Sequence, residues 1–337
     1  MPQLSSRRRR TYSITAVLVI FAALAVAIVL RREAPPEVAR LLPESDAIVY
    51  ADLKPLRVVA KLQERPVAHS LEYQHFIDAT GIVPERDLDS VAFALHRMDD
   101  PTGPNGAVGY SEVFEGHFDG SRLKQYLRSI ASAHEQYAGH EVFTIPVEDE
   151  AGARVKRQLR VAQLGYDTVA ASNMPTAEQI HLILDRHRAA ASPFSGSSLL
   201  ATRYREVPLL SSAWAIGHVG LPFSERGYIT VFGLQLPIPE DTTFVASLRY
   251  VGSLHLRIEE IASNEAEAAK AAESLGALLG LVKSIESSQP RAVEDAELKS
   301  VLDSLKVDRR KERAVVTATI PLELVKRISS GGGIAPQ

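Results

Sequence analysis

Ser121-Arg122-Leu123-Lys124 sets a serine one helical turn ahead of a lysine. This is the S-x-x-K spacing in which a lysine activates a serine nucleophile. The stretch reads as a helix start, but the partner motifs S-D-N and K-T-G do not occur, and no G-x-S-x-G elbow exists. Capping alone accounts for a serine at a helix start. His134-Glu135 and His140 form HEQYAGH, with the histidines six apart instead of four, so a helix would not bring them to one face. His181 and His187 have the same spacing and fail in the same way. Asp87 with Asp89, and Asp99 with Asp100, are acids near turns. They lack the alternating carboxylates of a calcium cage and read as cap and turn residues. The glycines Gly331–Gly333 and Gly276/Gly280 do not follow a strand with a lysine in place, as a phosphate cradle requires. Glu259-Glu260 and Glu265/Glu267 read as first-turn acids favoured by a helix dipole. No residue is assigned as catalytic, cofactor-binding or metal-binding, and no cofactor is expected.

The chain contains no cysteine, which removes disulfides, thiolate metal sites, a catalytic thiol and a lipidated cysteine from consideration. Residues 1–32 hold six arginines and no acid. Residues 33–337 therefore carry 32 bases against 41 acids, a net charge of −9. So acidic a region lacks the basic face that phosphate binding needs, and nucleic acid is not expected as a partner.

Thr11–Leu30 (TYSITAVLVIFAALAVAIVL) has twenty residues with no charge and no helix breaker. A helix of that length spans roughly 30 Å, the thickness of a bilayer core. A transmembrane helix over 11–30 follows, with the membrane as a partner. Arg7–Arg10 outweigh Arg31 and Arg32, which keeps a basic tail over 1–10 in the cytoplasm and exports the remainder. The expected location is the cytoplasmic (inner) membrane, single-pass. A cleaved signal is the competing reading, but the apolar run is long for one and ends in Leu30-Arg31-Arg32, not in a small-x-small site. Arg9-Arg10 loosely matches a twin-arginine signal, for which the span is too apolar.

The elements beyond the anchor suggest an α+β fold. Residues 31–41 read as a linker stiffened by Pro35-Pro36. A first half over 42–192 has strands at Asp46–Leu53, Val91–His96 and Tyr110–Phe118, a hairpin of Glu141–Val147 with Arg157–Leu164, and a strand at Thr168–Ser172. Its predicted helices are Leu56–Gln63, Leu71–Thr80 before Gly81, Arg122–His134 behind the cap Asp119-Gly120-Ser121, and Thr176–His187. A connector over 193–206 follows. The second half, 207–328, opens on a strand at Ala213–Gly220 and continues with a strand pair, Thr243–Val251 and Ser253–Ile261. Asn264 then caps a long helix with the stripe Ala269, Ala272, Leu275, Leu279 and Val282. A helix at Leu298–Leu305 and a strand at Val315–Ile320 complete it, and 329–337 reads as a disordered tail. The repeated order predicts two similar halves with mostly antiparallel sheets and helices on one face. Strict β-α-β alternation is absent, which argues against a doubly wound nucleotide-binding sheet.

Leu42–Leu53 (LPESDAIVYADL), Glu115–Leu127 (EGHFDGSRLKQYL) and the stretch Asn264–Ile320 resemble passages of uncharacterised bacterial proteins that have an N-terminal membrane anchor and an exported α+β region. The resemblance implies this topology and fold and transfers no site residue. Leu221–Pro239, with Phe223, Tyr228, Phe232 and Leu234, is an apolar stretch that fits either an exposed loop meeting a partner or the membrane surface, or a strand buried in the core of the second half. The expectation is a membrane-anchored, exported, non-catalytic domain that binds or scaffolds an envelope protein partner. Its alternatives are an envelope hydrolase with scattered site residues, and a pair of solute-binding lobes hinged near Ser192.

Overall fold

The computed structural model describes residues 34–60, 70–100, 106–147, 157–189, 196–218, 228–231, 234–237, 242–288 and 296–324. The expected span over 11–30, its basic tail 1–10 and the tail 329–337 lie outside the described residues. Among the described residues no helix is long and apolar enough to cross a membrane.

The chain is a mixed α+β protein built on one large antiparallel sheet. Its strands are β1 (Ala47–Asp52), β2 (Leu88–Arg97), β3 (Val108–Gly116), β4 (Ala133–Tyr137), β5 (His140–Val147), β6 (Arg157–Gln163), β7 (Thr168–Ser172), β8 (Ala213–His218), β11 (Thr243–Val251), β12 (Ser253–Ile261), β13 (Lys306–Arg310) and β14 (Arg313–Ile320). The order across the sheet is β13-β14-β12-β11-β8-β1-β2-β3-β7-β6-β5-β4. β9 (Tyr228–Val231) and β10 (Leu234–Pro237) form a separate two-stranded ribbon. The boundary expected near 193–206 does not divide the sheet. β1 pairs antiparallel with β8, Val49 opposite Ala215, so the strands of both halves share one ladder.

Outward from that central pair, the first three strands on each side follow chain order, and the last strand in chain order on each side returns beside the third. β1-β2-β3-β7-β6-β5-β4 runs one way and β8-β11-β12-β14-β13 the other. In each direction the third strand is followed by a capped helix, Gly120–Ile130 (α5) behind Asp119 and Glu265–Ser288 (α8) behind Asn264. The outer strands β4 and β13 carry His, Glu, Gln, Lys, Asp and Arg, charged or polar side chains that discourage edge-to-edge pairing.

The helices cover both faces, not one as the element order suggested. Strand alternation shows this directly. In β7, Ala170 enters one core, with Ile48, Val113, Val142, Ile180, Ile183 and Leu200, while Val169 and Ala171 enter another, with Phe143, Val161, Leu123 and Leu127. The first core is closed by α1 (Glu37–Leu41), α6 (Glu178–Arg188) and α7 (Ser198–Arg203), the second by α5. A sheet apolar on both sides reads as a continuous run (TVAAS in β7), which hides how many faces it presents.

Three further expectations need correction. Part of the linker 31–41 is a core element: Val38, Ala39 and Leu41 of α1 are buried, and each large one stabilises the fold by about 1.5–3 kcal/mol through transfer from water. The connector 193–206 likewise contributes buried Leu199 and Leu200. The helix expected to reach His134 ends at Ile130, where Leu127 makes its last buried contact, and the chain turns into β4. Gly139 is a hairpin residue. With Ala138 at φ 51° and Gly139 at φ 86°, the β4–β5 link is a two-residue turn whose twist suits the flanking strands.

Candidate functional site

The lower end of the sheet is the end where β1 finishes at Asp52 and β2, β7 and β8 begin. Its central feature is aromatic. Tyr50 and Trp214 are direct cross-strand partners on β1 and β8 and stack with ring centroids 5.5 Å apart. Tyr204 meets Trp214 edge-on at 5.3 Å. The chain's one tryptophan is only 3% exposed. A cavity of about 530 Å³ adjoins it, lined by Tyr204, Arg205, Val207, Leu209, Leu210 and Trp214. That volume suits a small organic group or an apolar side chain.

The wall that carries Tyr204 is a single 3-10 turn, Tyr204–Glu206, and a chain of charges fixes it to the sheet. Glu206 pairs with Arg313 at 2.7 Å. Arg313 also pairs with Glu259 at 3.0 Å, and Arg257 reaches Glu259 at 2.6 Å. Burial alone would raise the Glu259 carboxyl; the hydrogen bonds from Arg257 and Arg313 more than offset it and hold the pKa below the usual range. Glu259 and Glu260 were expected in a first helical turn. They lie in β12 and alternate in direction, so Glu259 faces the arginines.

Beyond Tyr50 the network continues along β2 and β3. Burial, with Asp52 and Glu115 nearby, holds the Tyr50 phenol well above its ordinary pKa, so it stays protonated; Ser90 is its hydrogen-bond partner. Ser90 donates to Glu115 at 2.9 Å. Buried Asp89 takes Lys54 at 3.1 Å, Arg57 at 3.5 Å and His117 at 3.4 Å. Arg57 also donates to the Leu88 carbonyl. Asp52 accepts the Lys54 amide at 3.1 Å, and burial raises its pKa. These charges hold each other and the strand ends. They converge on one another instead of on the cavity.

The residues singled out for chemistry are placed as follows. Ser121 donates its amide to Asp119, the true cap, while Lys124 pairs with Glu141 at 3.0 Å, so the S-x-x-K pair is not assembled. His134 and Glu135 sit on β4, and His140 opens β5 with its Nδ1 3.0 Å from the Gln163 carbonyl oxygen. His181 pairs with Glu135 at 2.8 Å and stacks on Tyr137 at 3.7 Å, and His187 packs against His140 at 5.5 Å. Thus one histidine pair meets, His140 with His187, while His181 meets Glu135 and Tyr137; both contacts bridge α6 and the β4–β5 hairpin. Asp87 accepts the Val83 amide at 2.8 Å and closes a turn. Glu267 lies one turn into α8, its amide bound to Asn264 Oδ1 at 3.0 Å. Among the described residues no group of three or more His, Cys, Asp or Glu is arranged to hold a metal ion. Gly331–Gly333, Phe223 and Phe232 lie outside the described residues. Sequence reasoning missed Tyr50, Tyr204 and Trp214, the first of which lies far from the other two in the chain; the lone tryptophan was the one signal that could have drawn attention to them.

No known family matches the chain, and no curated protein matches it. Among solved structures it is similar to three crystal forms of TP0453. Form III has a TM-score of 0.48 and 11% identity, covering 88% of this chain and 99% of that one. Form IV has a TM-score of 0.42 and 9% identity, covering 88% and 97%. Form I has a TM-score of 0.41 and 10% identity, covering 89% and 98%.

Proposed function

We propose that this chain is a membrane-anchored, exported binding or scaffolding module of the bacterial envelope, without catalytic activity of its own. The observation that carries the reading is the cavity beside Trp214. It has an aromatic floor of Tyr204 and Trp214, while the acids Glu206, Glu259 and Asp89 near it are engaged with arginine and lysine partners. Such a site can receive an apolar group of an envelope protein partner, and it lacks the convergent acid and base that hydrolysis requires. The anchor over 11–30 and the export of the C-terminal part rest on the apolar run and the arginine asymmetry. The doubled path around the β1–β8 pair supports two similar halves derived from one repeated unit, fused into a single sheet.

The test is photo-crosslinking in cells, with the reactive residue at Val207 on the cavity wall or at Lys311 in the β13–β14 turn at the upper end of the sheet. The expected result is an adduct of defined mass from Val207 that is missing from Lys311. Equal labelling at both positions, or none at Val207, contradicts a partner seated in the cavity.

A further inference from the structure

The chain enters the fold at the lower end of the sheet. Glu37 starts α1, which packs on α6, and His187 in the last turn of α6 lies 5.5 Å from His140. His140 Nδ1 lies 3.0 Å from the carbonyl oxygen of Gln163, the last residue of β6, which marks the lower end. From there the chain climbs. The Leu42 carbonyl accepts from Arg186, and Asp46 accepts the amide of Arg97 at the upper end of β2. Only residues 31–36 separate Leu30 from Glu37. The seven steps from Leu30 to Glu37 reach at most roughly 25 Å, so the lower end is held that close to wherever residue 30 sits.

The same end carries an unusual set of exposed side chains. Leu209 and Leu210, at the tip of the turn before β8, are 60% and 83% exposed. The turn is closed by the Ser211 amide on the Pro208 carbonyl at 3.3 Å, which puts Leu210 at its third position with φ 64°. Glycine or asparagine is the usual occupant there, because a left-handed leucine costs about 1–2 kcal/mol. Ser212 is bonded to Leu248 of β11 at 2.8 Å, so the turn lies beside the end of β11. There Val251 is 68% exposed, and Tyr250 is exposed as well. Tyr166, in the β6–β7 loop at the same end, is 94% exposed. Arg205 and Arg249 are close neighbours of these residues in the chain. Strained apolar tips beside tyrosines and arginines make up the composition of a membrane-interface contact.

We infer that the Leu209–Leu210 turn and the Tyr250–Val251 tip dock onto the phospholipid surface of the membrane that holds the anchor. This inference rests on the anchor reading of residues 11–30. The bilayer is the occupant because the short tether brings this end of the sheet, and not the Lys311 end, to the lipid.

The absence of cysteine makes the test direct. Single cysteines replace Leu210, Val251 or Lys311 in the full chain and carry an environment-sensitive fluorophore. Lys311 lies in the β13–β14 turn at the upper end, next to Arg313, which pairs with Ile261. The chain is placed in phosphatidylcholine–phosphatidylglycerol vesicles containing a head-group spin-labelled lipid. Quenching at 210 and 251 should exceed that at 311 by about twofold or more, as expected for side chains at head-group depth. Leu209→Asp in the Val251 cysteine chain should lower quenching at 251 while the chain still floats with the vesicles. A chain that floats with 210 quenched no more than 311 overturns the inference and leaves the anchor standing. A chain that does not float refutes the anchor reading, and this inference falls with it. A label at 210 that is shielded from water but not quenched by lipid, increasingly so at high protein-to-lipid ratio, shows contact with a second copy and also overturns it.

Discussion

Glu112 illustrates what single residues contribute away from the cavity. It lies in β3 opposite Phe93 on one side and Ala171 on the other, and burial pushes its carboxyl up to about 7. An acid with a raised folded-state pKa holds its proton more tightly when folded. Stability therefore falls as pH rises from the unfolded value near 4.5 through about 7, and then levels off. Glu112→Gln removes that dependence. Urea unfolding should show the variant more stable than the parent by about 3 kcal/mol at pH 8 and matched at pH 4. A difference that does not vary with pH would place the titration elsewhere. Nothing in the local sequence YSEVF announces this residue, since an acid in an alternating strand normally faces water. Its environment comes from the face of the sheet that also carries Ala171 of the second core, a face the element order did not foretell as buried.

Among the elements, the helix caps were the most legible features. Asp119 accepts the amides of Ser121 at 3.1 Å and Arg122 at 3.2 Å, and Asn264 accepts that of Glu267 at 3.0 Å. Short polar side chains ahead of an apolar stripe carry this signal locally. Asp119→Ala should lower stability by about 1 kcal/mol in a denaturant titration, and Ser121→Ala by much less, because the aspartate is the cap. A larger loss at Ser121 would reverse that assignment. The elements read wrongly are those whose character is set from a distance. α1 passes for a linker because two prolines precede it and its five residues are too few to show a period, yet α6 and the sheet bury it. β4 passes for the end of a helix because its partner β5 arrives only after the turn at Ala138-Gly139. Strand registers, and the single ladder through β1 and β8, follow from contacts between distant residues that no local pattern contains.

At the scale of the whole molecule, the antiparallel α+β class was legible and the arrangement around one central strand pair was not. The candidate site shows why. Tyr50 lies far in the chain from Tyr204 and Trp214, and the three meet only because β1 and β8 pair and the turn after α7 folds back onto Trp214. The central claim is that an N-terminal span tethers this sheet outside the cytoplasm with its lower end toward the lipid. The most direct measurement joins a reporter active only outside the cytoplasm to Gln337 and sequences the N-terminus of the membrane-bound product. An active reporter with residues 1–32 retained is the predicted result. An inactive reporter, or a product beginning after Ala27 and free of the membrane, contradicts it.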